Sequence, residues 1–147
     1  MPKNGAQVAR DRLSELISEV IRLSENPPPA ARSAAGELRV VRLSVFPLEL
    51  WAVMGRESDY LVIRRMYCNC PHFSIRVVNE EKTVPCYHLI AVELAEKTGR
   101  FHDLSASLNQ DELLDIVLEI LSGARSTTLR KKLYMNTAKG IEGESDK

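Results

Sequence analysis

Cysteine is scarce in this chain, with three residues in 147. An odd number cannot all be paired in disulfides within one chain. Net charge is absent too: 20 lysines and arginines balance 20 aspartates and glutamates. A global electrostatic attraction to nucleic acid or membrane is therefore not to be assumed, and any such binding needs a local patch. No apolar run reaches the roughly 18 residues that a membrane-crossing helix requires. The opening MPKNGAQVARDRLSEL lacks the continuous apolar segment of a signal peptide. The expectation is a cytoplasmic protein, nucleoid-associated in a prokaryote or nuclear in a eukaryote, with no membrane partner. Its thiols then meet a reducing compartment, which disfavours structural disulfides. There is no G-x-x-x-x-G-K-[ST], no triad pattern, no paired-carboxylate site, no internal repeat and no low-complexity tract. A nucleotide-hydrolysing enzyme of the Walker type is not expected, and no other enzyme is indicated.

What remains is a chain of ordinary domain size, 44% apolar and 27% charged, able to bury a core of its own. From Ala6 to Ser24, the residues Ala9, Leu13, Leu16, Val20 and Leu23 recur at steps of four and three. That spacing predicts an amphipathic helix, with Asn4 as cap and Gln7 three residues on. Its stripe serves core packing or a homodimer seam equally well. The prolines at 27–29 end it. Residues 36–46 read as helix or strand. Pro47 suits the first turn of a helix over 48–54, stopped by Gly55. Trp51 is most simply a core residue. Residues 59–66, DYLVIRRM, read as a strand, and residues 71–78 as either element. Residues 86–97 read as a helix ended by Gly99. Asn109 and Glu112 have capping-box spacing for another helix, stopped by Gly123. The polar segment 124–147 reads as a largely disordered tail, whose removal from residue 126 onward should leave the fold intact.

All three cysteines fall in CNCPHFSIRVVNEEKTVPCYH, between Cys68 and His88, with two of the three histidines. Cys68, Cys70, Cys86 and His88 supply the four sulfur and nitrogen ligands of a tetrahedral zinc. Each x-spaced pair fixes two ligands locally, and the metal closes the loop between them. The second pair falls at a helix start, where the positive end favours thiolate. A closed set leaves no open position, so the zinc would be structural. His72 is an alternative fourth ligand, ranked below His88 because Pro71 stiffens the chain beside it. A redox pair normally has two intervening residues, and Cys68-Asn69-Cys70 has one. A thiol sensor that ejects its zinc on oxidation is a further alternative.

The pattern Cys68-x-Cys70, a spacer, then Cys86-x-His88 resembles the SWIM zinc finger. Cys70-Pro71-His72-Phe73 resembles the C-P-x-F run that follows the first pair. Ala91, three positions after His88, matches the extended motif of the Shu-complex SWIM subunits. These are recombination accessory proteins of eukaryotes with archaeal relatives. The resemblance covers about residues 67–95, and Tyr87 departs from it where a basic residue is common. It implies a non-enzymatic zinc protein acting in homologous recombination and DNA repair. It also implies a RecA-fold recombinase paralogue, an ATPase, as partner, met by the outer face of the helix over 86–97. Ala91 would pack within the finger or against that partner. The alternative is a DNA-binding regulator or mobile-element derivative whose finger contacts DNA directly.

The resulting expectation is an α+β domain, mostly helical, with a zinc-organised ββα-like element. Residues 1–58 form a helical region, 59–99 the finger, 100–123 a C-terminal helix and 124–147 the tail. DNA, single-stranded or branched, is a candidate partner. Arg64, Arg65, Arg76, Lys82, Arg130, Lys131 and Lys132 are its candidate contacts. Arg64 and Arg65, adjacent on a presumed strand, should point to opposite faces.

Overall fold

The computed structural model describes residues 4–80 and 82–145, with side chains through residue 136. Helix α1 (Gly5–Glu25) begins where Asn4 accepts a hydrogen bond from the Gln7 amide at 2.8 Å. It buries Leu16 and Val20, so the stripe packs into the core. The proline run ends it, and Pro29 opens α2 (Pro29–Gly36) at the position where proline loses no helical bond. The buried face of α2 is Ala31, Ala34 and Ala35, small enough to let a neighbouring helix come close.

Three antiparallel strands follow, β1 (Val40–Ser44), β2 (Leu50–Val53) and β3 (Tyr60–Ile63). The helix expected over 48–54 is thus a strand, and residues 1–58 are not helical throughout. Pro47 lies in the connection between β1 and β2. Leu50-Trp51-Ala52-Val53 is a short apolar run flanked by a proline and a glycine, and it pairs on both sides. The expected strand over 59–66 ends at Ile63. Residues 64–66 are a tight turn into β4 (Tyr67–Cys68), with Arg65 in the left-handed region at φ 68°. Residues 73–79 form a π-helix, Phe73–Asn79, that buries Phe73 and Val77. Helix α3 (Tyr87–Thr98) stops at Gly99, whose φ of 73° suits glycine.

A fifth strand, β5 (His102–Asp103), pairs with β1 in parallel and completes a sheet of order β4-β3-β2-β1-β5. Helix α4 (Gln110–Leu121) starts with the expected capping box: Asn109 accepts from the Glu112 amide, and Glu112 accepts from the Asn109 amide. Gly123, at φ 89°, follows its end. The segment expected to be disordered forms α5 (Thr127–Ser145). Ser126 and Leu129 are fully buried, and the Ser126 hydroxyl caps the helix by accepting from the Leu129 amide at 3.0 Å.

Strand alternation sorts the side chains into two cores. Val40, Trp51, Val53, Val62 and Cys68 face one way, against α1, α2, α3 and the π-helix. Val41, Leu43, Ala52 and Leu61 face the other, against Leu104, Ile116, Ile120 and Leu129. The architecture is a mixed α/β sandwich, helices on both faces of one sheet, which fits the α+β expectation. Trp51 is a core residue as expected, its ring edge-on to Phe101 at 4.9 Å between centroids.

At the β5 edge, Arg42 pairs with Asp103 and lies over the Trp51 and Phe101 rings. Hydrogen bonding from Arg42 holds the Asp103 carboxyl at about 2. A depressed carboxylate stabilises the fold above its unfolded value near 4, and that contribution fades as pH falls toward 2. Asp103→Asn should therefore cost under about 1 kcal/mol at neutral pH, since the pair is partly exposed. The variant should also unfold less steeply than the parent between pH 4 and 2, as urea titrations at several pH values would show. An identical acid limb in both proteins would remove Asp103 from the account.

Candidate metal centre

Four elements bring the cysteines and His88 together. Cys68 ends β4, where it pairs with Val62 and shares the sheet face covered by α3. Asn69 ties the next step to β3: its side-chain oxygen accepts from the Leu61 amide at 2.7 Å, and its own amide donates to the Leu61 carbonyl. Cys70 precedes the π-helix, and its sulfur accepts from the Phe73 amide at 3.4 Å. Cys86 is the N-cap residue of α3, and His88 lies in that helix's first turn.

The ligand atoms of Cys68, Cys70, Cys86 and His88 all lie within 4.8 Å of one another, and all four residues are buried. His88 Nδ1 is 3.7 Å from the Cys68 sulfur. A zinc–sulfur bond of about 2.3 Å places tetrahedral ligands about 3.8 Å apart, so the spacing is that of a coordination shell. All three cysteines are free thiols. These four residues can hold one metal ion. His72 takes no part: its ring nitrogen contacts the Val84 carbonyl at 3.2 Å, at the surface.

The sulfurs are frustrated without a cation. Hydrogen bonds from Cys68 and then Cys86 push the Cys70 thiol well down, toward thiolate. Hydrogen bonding to Cys70 and Cys86, with burial, pushes Cys68 strongly up. Cys86 is lowered by Cys68, but Cys70 and burial outweigh this and push it up to about 12. Three sulfurs this close and this buried cannot all ionise unaided, because burial penalises each thiolate and each repels the others. A divalent cation removes that conflict, and a sulfur-rich set suits zinc among the softer ions.

The His88 ring is held between aromatic neighbours, with Tyr60 at 4.2 Å and Tyr87 at 4.0 Å between centroids. Tyr87 stands where the resembling motif has a basic residue, and here it packs on a ligand. Ala91 is fully buried in the first core, so it packs inside the protein. Helix α3 buries most of its length beneath α1 and α2, and it has little outer face to offer a partner.

The basic candidates are mostly engaged within the chain. Arg64 and Arg65 do not diverge, because the strand ends before them. Both reach Glu93, at 3.3 and 2.6 Å, and Arg64 also meets Glu49 and Glu96. Burial would raise the Glu93 carboxyl, but Arg65 and Arg64 hold it below its usual range. Arg76 and Lys82 both pair with Glu80 on the loop between the ligand pairs. Arg130 forks onto Asp59, and Lys132 pairs with Glu112 at 2.9 Å. Lys131 is exposed.

The sequence reading passed over Glu93 and Asp59. Glu93 lies four residues after Leu89, on the core side of α3, and a carboxylate at a core position demands a cation. Asp59 carried no such signal, because Ser126 and Arg130, which hold its carboxylate, lie 67 and 71 residues away.

No protein-family model and no solved structure matches the chain. It is similar to an uncharacterized protein of Archaeoglobus fulgidus, 36% identical over 58 residues, which make up 40% of this chain and 47% of the relative. The match thus spans about half the length of that relative, whose description brings no activity or partner with it.

Proposed function

We propose that the chain is a structural zinc protein and not an enzyme, working as an accessory subunit in homologous recombination and DNA repair. Its partner in this reading is a RecA-fold recombinase paralogue. The buried set of Cys68, Cys70, Cys86 and His88 carries the proposal. Its x-spaced pairs and closed donor set match a SWIM-type finger, and four protein ligands leave a zinc no site for substrate. The loop that the zinc closes supplies the docking surface. Ile75, Val78 and Val84 lie on it with about half of their surface exposed, 50%, 56% and 52%. The rival reading, a finger that grips DNA directly, has less behind it. Arg64, Arg65, Arg76 and Lys82 already spend donors on carboxylates of the chain.

The test is purification at native abundance from the protein's own cells, with nuclease treatment before the bound proteins are identified. A RecA-fold ATPase in near-equal amount is the expected result. Its loss on Val78→Asp, with metal content unchanged, would place the contact on this loop. Recovery of nothing but nuclease-sensitive material would end the accessory-subunit reading and favour direct DNA binding.

A further inference from the structure

The connections between α2 and β1, β2 and β3, and α4 and α5 line an open cleft of about 510 Å³. Arg39 at the entry to β1, Arg56 between β2 and β3, and Arg125 and Arg130 around the start of α5 all line it. Glu37 is the one carboxylate among its walls.

The four guanidinium groups fall into two kinds. Arg39 and Arg130 are fixed. Arg39 pairs with Glu37 at 2.9 Å and donates to the Met54 carbonyl. Arg130 holds buried Asp59 through two bonds, at 2.6 and 2.8 Å. Arg56 and Arg125 are exposed and have no ion pair or side-chain hydrogen bond among the described residues. Their backbones are nonetheless held in place. The Gly55 amide donates to Asp59, the Ser58 hydroxyl to the Gly123 carbonyl, and the Asp59 amide to the Ala124 carbonyl. A Cβ on Gly55 would meet the Ser58 carbonyl oxygen at 2.4 Å, so the turn that presents Arg56 needs glycine there. Folding thus sets two unneutralised cations over two fixed ones around a concave wall. Such a shape focuses positive potential and favours an anion.

We infer that this cleft binds a phosphate-bearing anion. Arg56 and Arg125 grip its oxygens, and Arg39 and Arg130 form the floor. Guanidinium forks match phosphate geometry, and the volume suits a group of nucleotide size. The phosphate can belong to a free polyphosphate or to a nucleic-acid backbone. The inference is independent of the metal and of the recombination reading.

The test uses the full chain as purified. Inorganic tripolyphosphate is titrated calorimetrically, and a labelled single-stranded oligonucleotide by anisotropy, both at about 50 mM salt. At least one probe should bind. Arg56→Gln with Arg125→Gln should weaken that binding at least about tenfold, the loss expected from charge-assisted bonds, with the unfolding midpoint unchanged. Arg10→Gln with Arg22→Gln removes the same charge from the exposed face of α1 and should change the affinity less than about twofold. Tripolyphosphate that binds while the oligonucleotide does not identifies a free polyphosphate. An oligonucleotide that binds about tenfold tighter, with a salt slope reduced by about two in the double variant, identifies a backbone. The inference falls if neither probe binds, if the Arg56 and Arg125 double variant binds like the parent, or if the α1 control loses as much.

Discussion

Serine in place of Cys86 should strip the chain of its metal and of most of its stability. Cys86 is the hinge of the centre, since it starts α3 and meets the other two sulfurs from the far end of the loop. A serine hydroxyl does not ionise at neutral pH and ligates zinc poorly. The three remaining ligands would lose the closed shell and keep the burial. Structural zinc contributes about 10–16 kcal/mol in small finger peptides, while a whole domain is stable by only about 5–15 kcal/mol. Loss of even about 5 kcal/mol should lower the melting temperature by about 10–20 °C. Metal analysis and thermal melts of parent, variant and chelator-treated parent would test this. The last two should coincide. A variant with full metal content and the parent's melting temperature would rule Cys86 out as a ligand.

The second large effect is expected at the other end of the chain. A protein ending at Arg125 deprives the Asp59 carboxylate, buried in the intact chain, of Arg130 and the Ser126 amide, bonds of 2.6 to 2.8 Å. Glu119 loses the Ser126 hydroxyl and both donors of Thr128. Leu129 leaves the second core, worth about 2 kcal/mol by itself. Removing one partner of a buried charge adds about 3–5 kcal/mol. The truncated chain should therefore unfold at much lower urea, with a metal content per folded molecule like the parent's. A midpoint within experimental error of the parent's would return the segment to the status of a dispensable tail.

That reversal shows where sequence reasoning succeeded and where it lost information. Helices α1 and α4 were readable because their signals are local: Asn4 with Gln7, Asn109 with Glu112, and stripes a few residues apart. The metal set was readable because ligand pairs of fixed spacing carry their own geometry. Strand β2 was not, because a strand buried on both faces shows neither alternation nor helical period. Helix α5 was missed because its anchor is three residues, Ser126, Leu129 and Arg130, in a polar stretch. Two of them, Ser126 and Arg130, act on Asp59, far back in the chain. The same reason hid the arginine cleft. Arg39, Arg56 and Arg125 are unremarkable along the sequence and become neighbours only when the β2–β3 turn is tied to the end of α4.

The separations of these contacts bear on the order in which the protein assembles. Cys68 and His88 are 20 residues apart, and the helices covering the first core are complete by Thr98. Arg130 and Asp59 are 71 apart. Closing the shorter loop costs less chain entropy. During synthesis the half that carries Cys68, Cys70, Cys86 and His88 can be built while α4 and α5 are still to come. Val41, Leu43, Ala52 and Leu61 would then face water until the last helices arrive. The nascent chain should pass through a stage with one finished face and one sticky face. Such a stage is where a chaperone would be needed most, and where a stalled or shortened chain would aggregate.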